Sequence, residues 1–253
     1  MVYMHPVLFT IGGIEFYSYG LMIGIGYVLG VLVAVKRAEA KGIDPDSLLG
    51  FFVLILVSGV TGGRLFHIAL NTWNYPDLKS VFRLQDGGLS IHGVLFGGLL
   101  AAFAYSHFRK VNPARLLDVI SPSVALGQAI GRIGCLLAGC CYGIPTNGNW
   151  GVLTRYAPGL RHPYQIYESI ADFFLFMGLM RVSGRIKLDG GLVLLYISGY
   201  SMIRFFLEFF RAGETCFLGL SSGQWLSAAL IGVCLIVYAY AKRKSGTKNP
   251  LPL

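Results

Sequence analysis

The segment Gly131–Gly143, GRIGCLLAGCCYG, sets one arginine and three cysteines among apolar and glycine residues. A guanidinium in hydrocarbon is costly even after snorkelling, so Arg132 must face a cavity, a partner charge or an anionic substrate. A second segment, GYSMIRFFLEFFR from Gly199 to Arg211, spaces Tyr200, Arg204 and Glu208 at i, i+4 and i+8, along one helical stripe, with Arg211 three residues further on. Arg204 and Glu208 could simply pair with each other. Buried ion pairs rarely repay their desolvation, however, and holding an anionic ligand explains why such a pair is buried at all. His92, in SIHGVLFGG, can act as a general base, donate to a phosphate, or bond to a neighbouring helix backbone. His162, in RHPYQIYES, competes for the same roles, with Gln165, Tyr167 and Glu168 following it. Together these residues could hold a phosphate group and move a proton.

The cysteines invite a metal or redox reading that their spacing does not favour. Cys135, Cys140 and Cys141 lack a C-x2-C pairing and have no histidine nearby in sequence, so they match neither a zinc nor an iron–sulfur pattern. If their side of the membrane is oxidising, Cys140 or Cys141 can pair with Cys216. Cys234 reads as a small apolar filler. Gly127, Gly131, Cys135, Gly139 and Gly143 recur every four residues, a face of small side chains that lets another helix approach closely. Arg132 points about 100° away from that face.

The elements that must position these groups are membrane helices. With 55% hydrophobic residues, 13% charged residues and a mean hydropathy of +0.63, the chain is far more apolar than a soluble domain, and its apolar runs are helix-length. The expected fold class is an all-α integral membrane protein of about seven transmembrane helices, near 16–36, 47–70, 89–108, 115–140, 164–182, 190–210 and 223–241. These form a single polytopic membrane domain over 1–253. The start MVYMHPVLF has no basic region and no small-residue cleavage site, so the first span itself is expected to target the protein.

One set of loops carries Lys36, Arg37, Lys41, Arg109, Lys110, Arg115, Arg181, Arg185, Lys187, Lys242, Arg243, Lys244 and Lys248, while the other carries only Lys79, Arg83, Arg155, Arg161 and Arg211. That bias places the N-terminus outward and the C-terminus in the cytoplasm. The net charge of +9 then reflects loops meeting an anionic leaflet, and no RNA-binding motif points to nucleic acid. The two longest outward loops, about 71–88 and 141–163, carry Trp73, Tyr75 and Trp150, which serve either function or interfacial anchoring. With this orientation Arg64, Arg132, Arg204, His92 and Tyr19, from five helices, share one level in the outer half. A cavity open toward the outer leaflet explains the agreement.

The set SYGLM around Tyr19, GGR ending at Arg64, SIHG at His92, GRIG at Arg132, RHPYQIYE at His162 and YSMIRFFLEFFR at Tyr200 resembles the bacterial prolipoprotein diacylglyceryl transferase family, in the same order from end to end. The resemblance implies a seven-helix protein of the bacterial inner membrane that moves diacylglyceryl from phosphatidylglycerol to the lipobox cysteine in a prolipoprotein signal peptide. A thioether forms and glycerol phosphate leaves. By the same resemblance His92, Arg132 and Arg204 are catalytic, and Tyr19, Arg64, His162, Tyr200, Glu208 and Arg211 bind substrate. The arginines would clamp the phosphate, His92 would take the thiol proton or assist the phosphate, Glu208 would orient Arg204, and Arg211 would stand at the outward gate. The nucleophile comes from the substrate, so no metal or organic cofactor is required.

One departure stands out. The family signature runs G-R-x-G-N-F-x-N-x-E-x-x-G, and here Cys135 and Ala138 replace the asparagines and Cys140 the glutamate. The change is compatible with the same activity, with another lipid headgroup or with another acceptor. A transporter or flippase for an anionic lipid would instead show inverted repeats or interrupted helix pairs, which are not evident. A structural subunit or receptor would have no use for these polar groups at one depth.

Overall fold

Every stretch expected to span the membrane folds as a helix. The computed structural model describes residues 5–12, 14–75, 77–83 and 87–246. Within them run α1 (Ser18–Ala38), α2 (Pro45–Leu70), the short α3 (Leu78–Phe82), α4 (Ile91–Arg109), α5 (Pro113–Ala138), α6 (Tyr164–Val182), α7 (Gly191–Leu207) and α8 (Ser222–Gly246). Among the described residues six helices, all of the long ones except α6, are long and apolar enough to cross a membrane. The exception follows from composition, because α6 carries Glu168, Asp172 and Arg181. The chain is thus a helical, multi-pass membrane protein. Lys248 and the first four residues of the leading segment lie outside the described residues.

Two short hairpins interrupt the all-helical expectation. Strands β1 (Val7–Ile11) and β2 (Ile14–Tyr17) pair antiparallel just before α1, and β3 (Val152–Thr154) and β4 (Ala157–Arg161) pair in the loop between α5 and α6. Runs of three to five residues inside loops rich in Gly and Pro carry too weak a periodic signal to be read as strands. The last predicted residues of the sixth span, Glu208–Phe210, tighten into a 3₁₀ turn.

The described chain falls into two compact units, Met1–Ala34 with Leu117–Leu253, and Val35–Leu116. In the second unit Asp44 caps α2, accepting from the Ser47 amide at 2.9 Å, with Pro45 at the first helical position. Gly62 of α2 faces Gly93 of α4 so closely that a Cβ on Gly62 would stand 2.5 Å from the Gly93 carbonyl oxygen. Only glycine permits that approach.

In the first unit α5 is the central helix, 61% of its apolar window being buried against 17–33% for the other five. The glycine face expected on α5 is where α1 packs: a Cβ on Gly26 would lie 3.2 Å from the Gly127 carbonyl oxygen, and one on Gly131 would touch Ile23. Asp118 of α5 accepts from the amides of Gly190 and Val193, both at 2.9 Å, and so caps α7 from another helix. Ala125, Leu179 and Leu192 form the adjoining apolar core with Leu175, Phe176 and Tyr196 around it. The start of α7 is fixed relative to α5 in this way, and both helices run on to the polar groups near the opposite end of α5.

Candidate functional site

Tyr164, Glu168 and Asp172 stand four residues apart on α6, and all three are fully buried. That stripe faces two arginines. Glu168 Oε1 lies 2.8 Å from Arg132 Nη2, on α5, and 3.5 Å from Arg204 Nη1, on α7. Arg204 Nη1 also donates to the Tyr164 hydroxyl, while its Nη2 lies 2.8 Å from Glu208 Oε2. Glu208 Oε1 in turn accepts from Arg211 Nη1 and from Ser221 Oγ, each at 3.2 Å. The result is one chain of alternating charge, Arg132, Glu168, Arg204, Glu208 and Arg211.

Such a network is a poor device for stability. Taking charges out of water costs several kcal/mol per ion, and apolar residues of similar volume often serve folding as well or better. Among the ion-paired groups three guanidiniums meet two carboxylates, which leaves one positive charge over within these pairs, the Asp172 carboxylate lying outside them. Arg132 and Arg204 keep 22% and 15% of their side chains accessible, so each retains N–H groups for a further partner. Tyr200 stands one turn before Arg204, its ring stacked at 6.2 Å on Tyr196, whose hydroxyl is fixed by Gln128 at 2.8 Å. Around these pairs the Asp172 carboxylate, Gln165 Oε1 and Glu168 Oε2 are buried without a hydrogen-bond partner among the described residues.

The turn after α5 forms a second wall. Gly139 takes φ +79°, the Cys140 amide donates back to the Cys135 carbonyl at 3.1 Å, and the Gly139 amide donates to Leu136 at 3.0 Å. This is a Schellman closure, and it folds Cys140 back over Cys135. Gln165 Nε2 donates to the Cys140 carbonyl at 2.5 Å and Thr154 Oγ1 to that of Gly139 at 2.8 Å, fastening the turn to α6 and β3. Gly143 sits against His162 and Phe210, where a Cβ would meet both carbonyl oxygens at 2.7 Å. All five cysteines are unpaired, Cys216 being exposed, so the pairing considered for it is not formed. The neighbouring Cys135 and Cys140 thiols, aided by the charges of Arg132 and Arg211, hold the pKa of the Cys141 thiol below its ordinary value.

The structure brings Arg132, Arg204, Glu208 and Arg211 into one cluster, with Tyr200 on the same helix. Tyr19 lies beside it, packed on Gly134 so tightly that a Cβ there would be 3.2 Å from the Tyr19 ring and 2.9 Å from Met22 Cβ. His162 Nδ1 pairs with the Tyr167 hydroxyl at 3.1 Å and its ring lies 5.6 Å from that of Phe210. Arg64 and His92 belong to the second unit. Arg64 spends its guanidinium on main-chain carbonyls: Val81, Ser80, Arg83, Gly87 and Gly88, at 2.5–3.2 Å, and lies over the Tyr75 ring at 4.8 Å. Five N–H groups thus meet five acceptors, and Arg64 acts through the loop it holds. His92 is exposed at the start of α4, its ring 6.3 Å from Phe66.

Glu168, the hub, was not singled out as a site residue from sequence, nor were Tyr164 and Asp172. The signal was present: their i, i+4, i+8 spacing repeats the stripe of Tyr200, Arg204 and Glu208.

The family model of prolipoprotein diacylglyceryl transferase matches residues 6–240. Curated proteins named phosphatidylglycerol–prolipoprotein diacylglyceryl transferase are similar along nearly the whole length. That of Clostridium tetani is 34% identical over 241 residues, covering 93% of this chain and 97% of the relative. That of Clostridioides difficile is 34% identical over 247 residues, covering 96% and 97%. The second such enzyme of Clostridium perfringens is 36% identical over 249 residues, covering 95% and 97%.

Proposed function

The chain belongs to the prolipoprotein diacylglyceryl transferase family, and from that premise we propose which of its residues perform the transfer. It moves the diacylglyceryl group of phosphatidylglycerol to the cysteine thiol of prolipoproteins, a step in lipoprotein maturation. The observation that carries the site assignment is the Glu168 bridge between Arg132 and Arg204, with one positive charge in excess over the whole chain of ion pairs.

The excess charge suits the single negative charge of a phosphodiester. Arg132 and Arg204 bind the phosphate of phosphatidylglycerol through their remaining N–H groups, held in place by Glu168 and Glu208. When the thiolate attacks the glycerol carbon, the carbon–oxygen bond breaks and the departing glycerol phosphate gains a second negative charge. Donors fixed beforehand around that oxygen are worth more in the transition state than in the ground state, which is what accelerates a reaction. Tyr19 and Tyr200 position the headgroup and Arg211 screens the outward entrance. His162 sets the turn after α5 through its main-chain bonds to Gly143 and Ile144. Arg64 holds the loop above α2, and the part of His92 as base toward the thiol rests on its SIHG motif alone.

We place seven crossings in the bacterial inner membrane, α6 joining the six apolar helices as the fifth in chain order. Its carboxylates and Tyr164 are buried, so the surface it turns to lipid is apolar despite its charge content. The excess of basic residues on one set of loops sets the N-terminus outward and the cluster in the outer leaflet half. A reconstituted assay tests the assignment: labelled phosphatidylglycerol and a lipobox peptide yield thioether and free glycerol phosphate. A folded protein that forms no thioether overturns it.

A further inference from the structure

The turn after α5 gathers three thiols that the mechanism above leaves idle. The sulfurs of Cys135, Cys140 and Cys141 lie within 4.8 Å of one another, and among the described residues no histidine, carboxylate or fourth cysteine joins them. Their spacing in sequence matches no zinc pattern because the meeting is made by backbone geometry. The left-handed Gly139 reverses the chain, and Cys141 itself takes φ +57°. A left-handed residue with a Cβ costs about 1–2 kcal/mol, and strain of that size, held by surrounding bonds, points to function. The bonds here are those of Gln165 and Thr154 to the turn's carbonyls. Cys135 is buried while Cys140 and Cys141 are partly exposed, so the cluster is closed toward α5 and open on its other side.

We infer that Cys135, Cys140 and Cys141 bind one zinc ion and leave its fourth position for the acceptor thiol. Tetrahedral zinc with sulfur ligands at about 2.3 Å places those sulfurs about 3.8 Å apart, so the cluster needs to contract by no more than about 1 Å. Three protein ligands with a vacant position distinguish a catalytic zinc from a structural one. The zinc ion itself offsets two of the three thiolate charges, and the remaining one lies within the influence of Arg132 and Arg211. Two of the thiols replace an asparagine and a glutamate of the family signature, so this chain offers metal-binding atoms where that signature offers hydrogen-bonding ones.

Zinc in this place presupposes the transferase reading and supplies its nucleophile. The acceptor thiol binds as thiolate and its proton leaves to solvent, because coordination deprotonates a thiol outright. A sulfur lone pair then forms the bond to the glycerol carbon as the carbon–oxygen bond breaks. The bonding electrons leave on the phosphate oxygen, toward Arg132 and Arg204. No electron is gained or lost overall, and the neutral thioether, a weak ligand, departs from the metal.

Cobalt(II) titration of the full chain in detergent, under reducing conditions, tests the site without reference to turnover. One cobalt per chain is expected, with a near-ultraviolet thiolate charge-transfer band that is lost in Cys135→Ser and in the Cys140→Ser, Cys141→Ser double variant. A lipobox peptide is expected to shift the visible bands, and its serine analogue to leave them unchanged. No charge-transfer band in the folded wild type, or one that survives Cys135→Ser, overturns the site. A spectrum indifferent to the cysteine peptide overturns the open position. Should the variants fail to fold, the intensity of the wild-type band counts the thiolate ligands, and fewer than three overturns the assignment. Transfer measured after chelation, and again after zinc is restored, separates the two claims. Loss and recovery support the zinc role; full activity without metal overturns it and leaves the transferase standing. Inactivity in both states, with the cobalt spectrum as expected, counts against the transferase and leaves the metal site standing.

Discussion

Arg132 Nη2 lies 2.8 Å from Oε1 of the fully buried Glu168, and the same oxygen receives Arg204 at 3.5 Å. A single carboxylate oxygen thus spaces two guanidinium groups from different helices. Without it, two cations would repel each other across the position proposed for the phosphate.

Glu168→Gln keeps the shape and removes the charge. Breaking a buried ion pair costs about 3–5 kcal/mol, so the melting temperature is expected to fall clearly. With both arginines released toward the anion, the ground state binds at least as well, while the alignment that favours the transition state is lost. The expected outcome is a kcat lower by at least about tenfold with no rise in KM for phosphatidylglycerol. A raised KM with unchanged kcat contradicts the spacing role.

Gly134 and Gly131 both face α1, yet they differ in what a methyl group would meet. On Gly134 it would strike Met22 Cβ at 2.9 Å and crowd Tyr19 at its Cα, at 3.4 Å, whereas on Gly131 it would touch only the tip of Ile23 at 3.3 Å. Overpacking against atoms that cannot yield costs about 1–3 kcal/mol. Gly134→Ala is therefore expected to lower both thermal stability and transfer through displacement of Tyr19, and Gly131→Ala to lower neither appreciably. Equal effects of the two would remove the case for close packing at Tyr19.

Arg64→Lys tests a positioning role in the second unit. Three ammonium donors cannot serve five carbonyls, and each buried acceptor left unmade costs about 1–3 kcal/mol. Amide exchange at Ser80–Arg83 is expected to accelerate, while the protection of α2 and α4 cores stays as it was. Unchanged exchange in that loop would show that the carbonyl contacts do not hold it.

The helices and the two central arginines were legible because hydrophobicity makes a charge conspicuous. Arg132 and Arg204 stand out in apolar runs, which marks each as a charge in need of a partner, and the structure gives them a shared one in Glu168. Glu168 was not legible, since its charge lowered the apolar signal of α6 and its partners come from α5 and α7. Arg64 looked like a third ligand-binding arginine because nothing in its own helix reveals the path of a loop that supplies five carbonyls. The cysteine cluster was hidden for a similar reason. Linear spacing says little once Gly139 and Cys141 adopt left-handed backbone. The hairpins were missed because strands this short are specified by their turns and by the surfaces they lie on.

The most direct test of the arginine clamp is the kcat/KM for thioether formation by Arg132→Lys in the reconstituted system, beside wild type of equal fold and insertion. Lysine keeps the charge and loses the two-pronged donor. A charge-assisted hydrogen bond is worth about 1.5–3 kcal/mol, so kcat/KM is expected to fall by about 10- to 100-fold. Wild-type kcat/KM in that variant would contradict the account and leave Arg132 as a structural partner of Glu168.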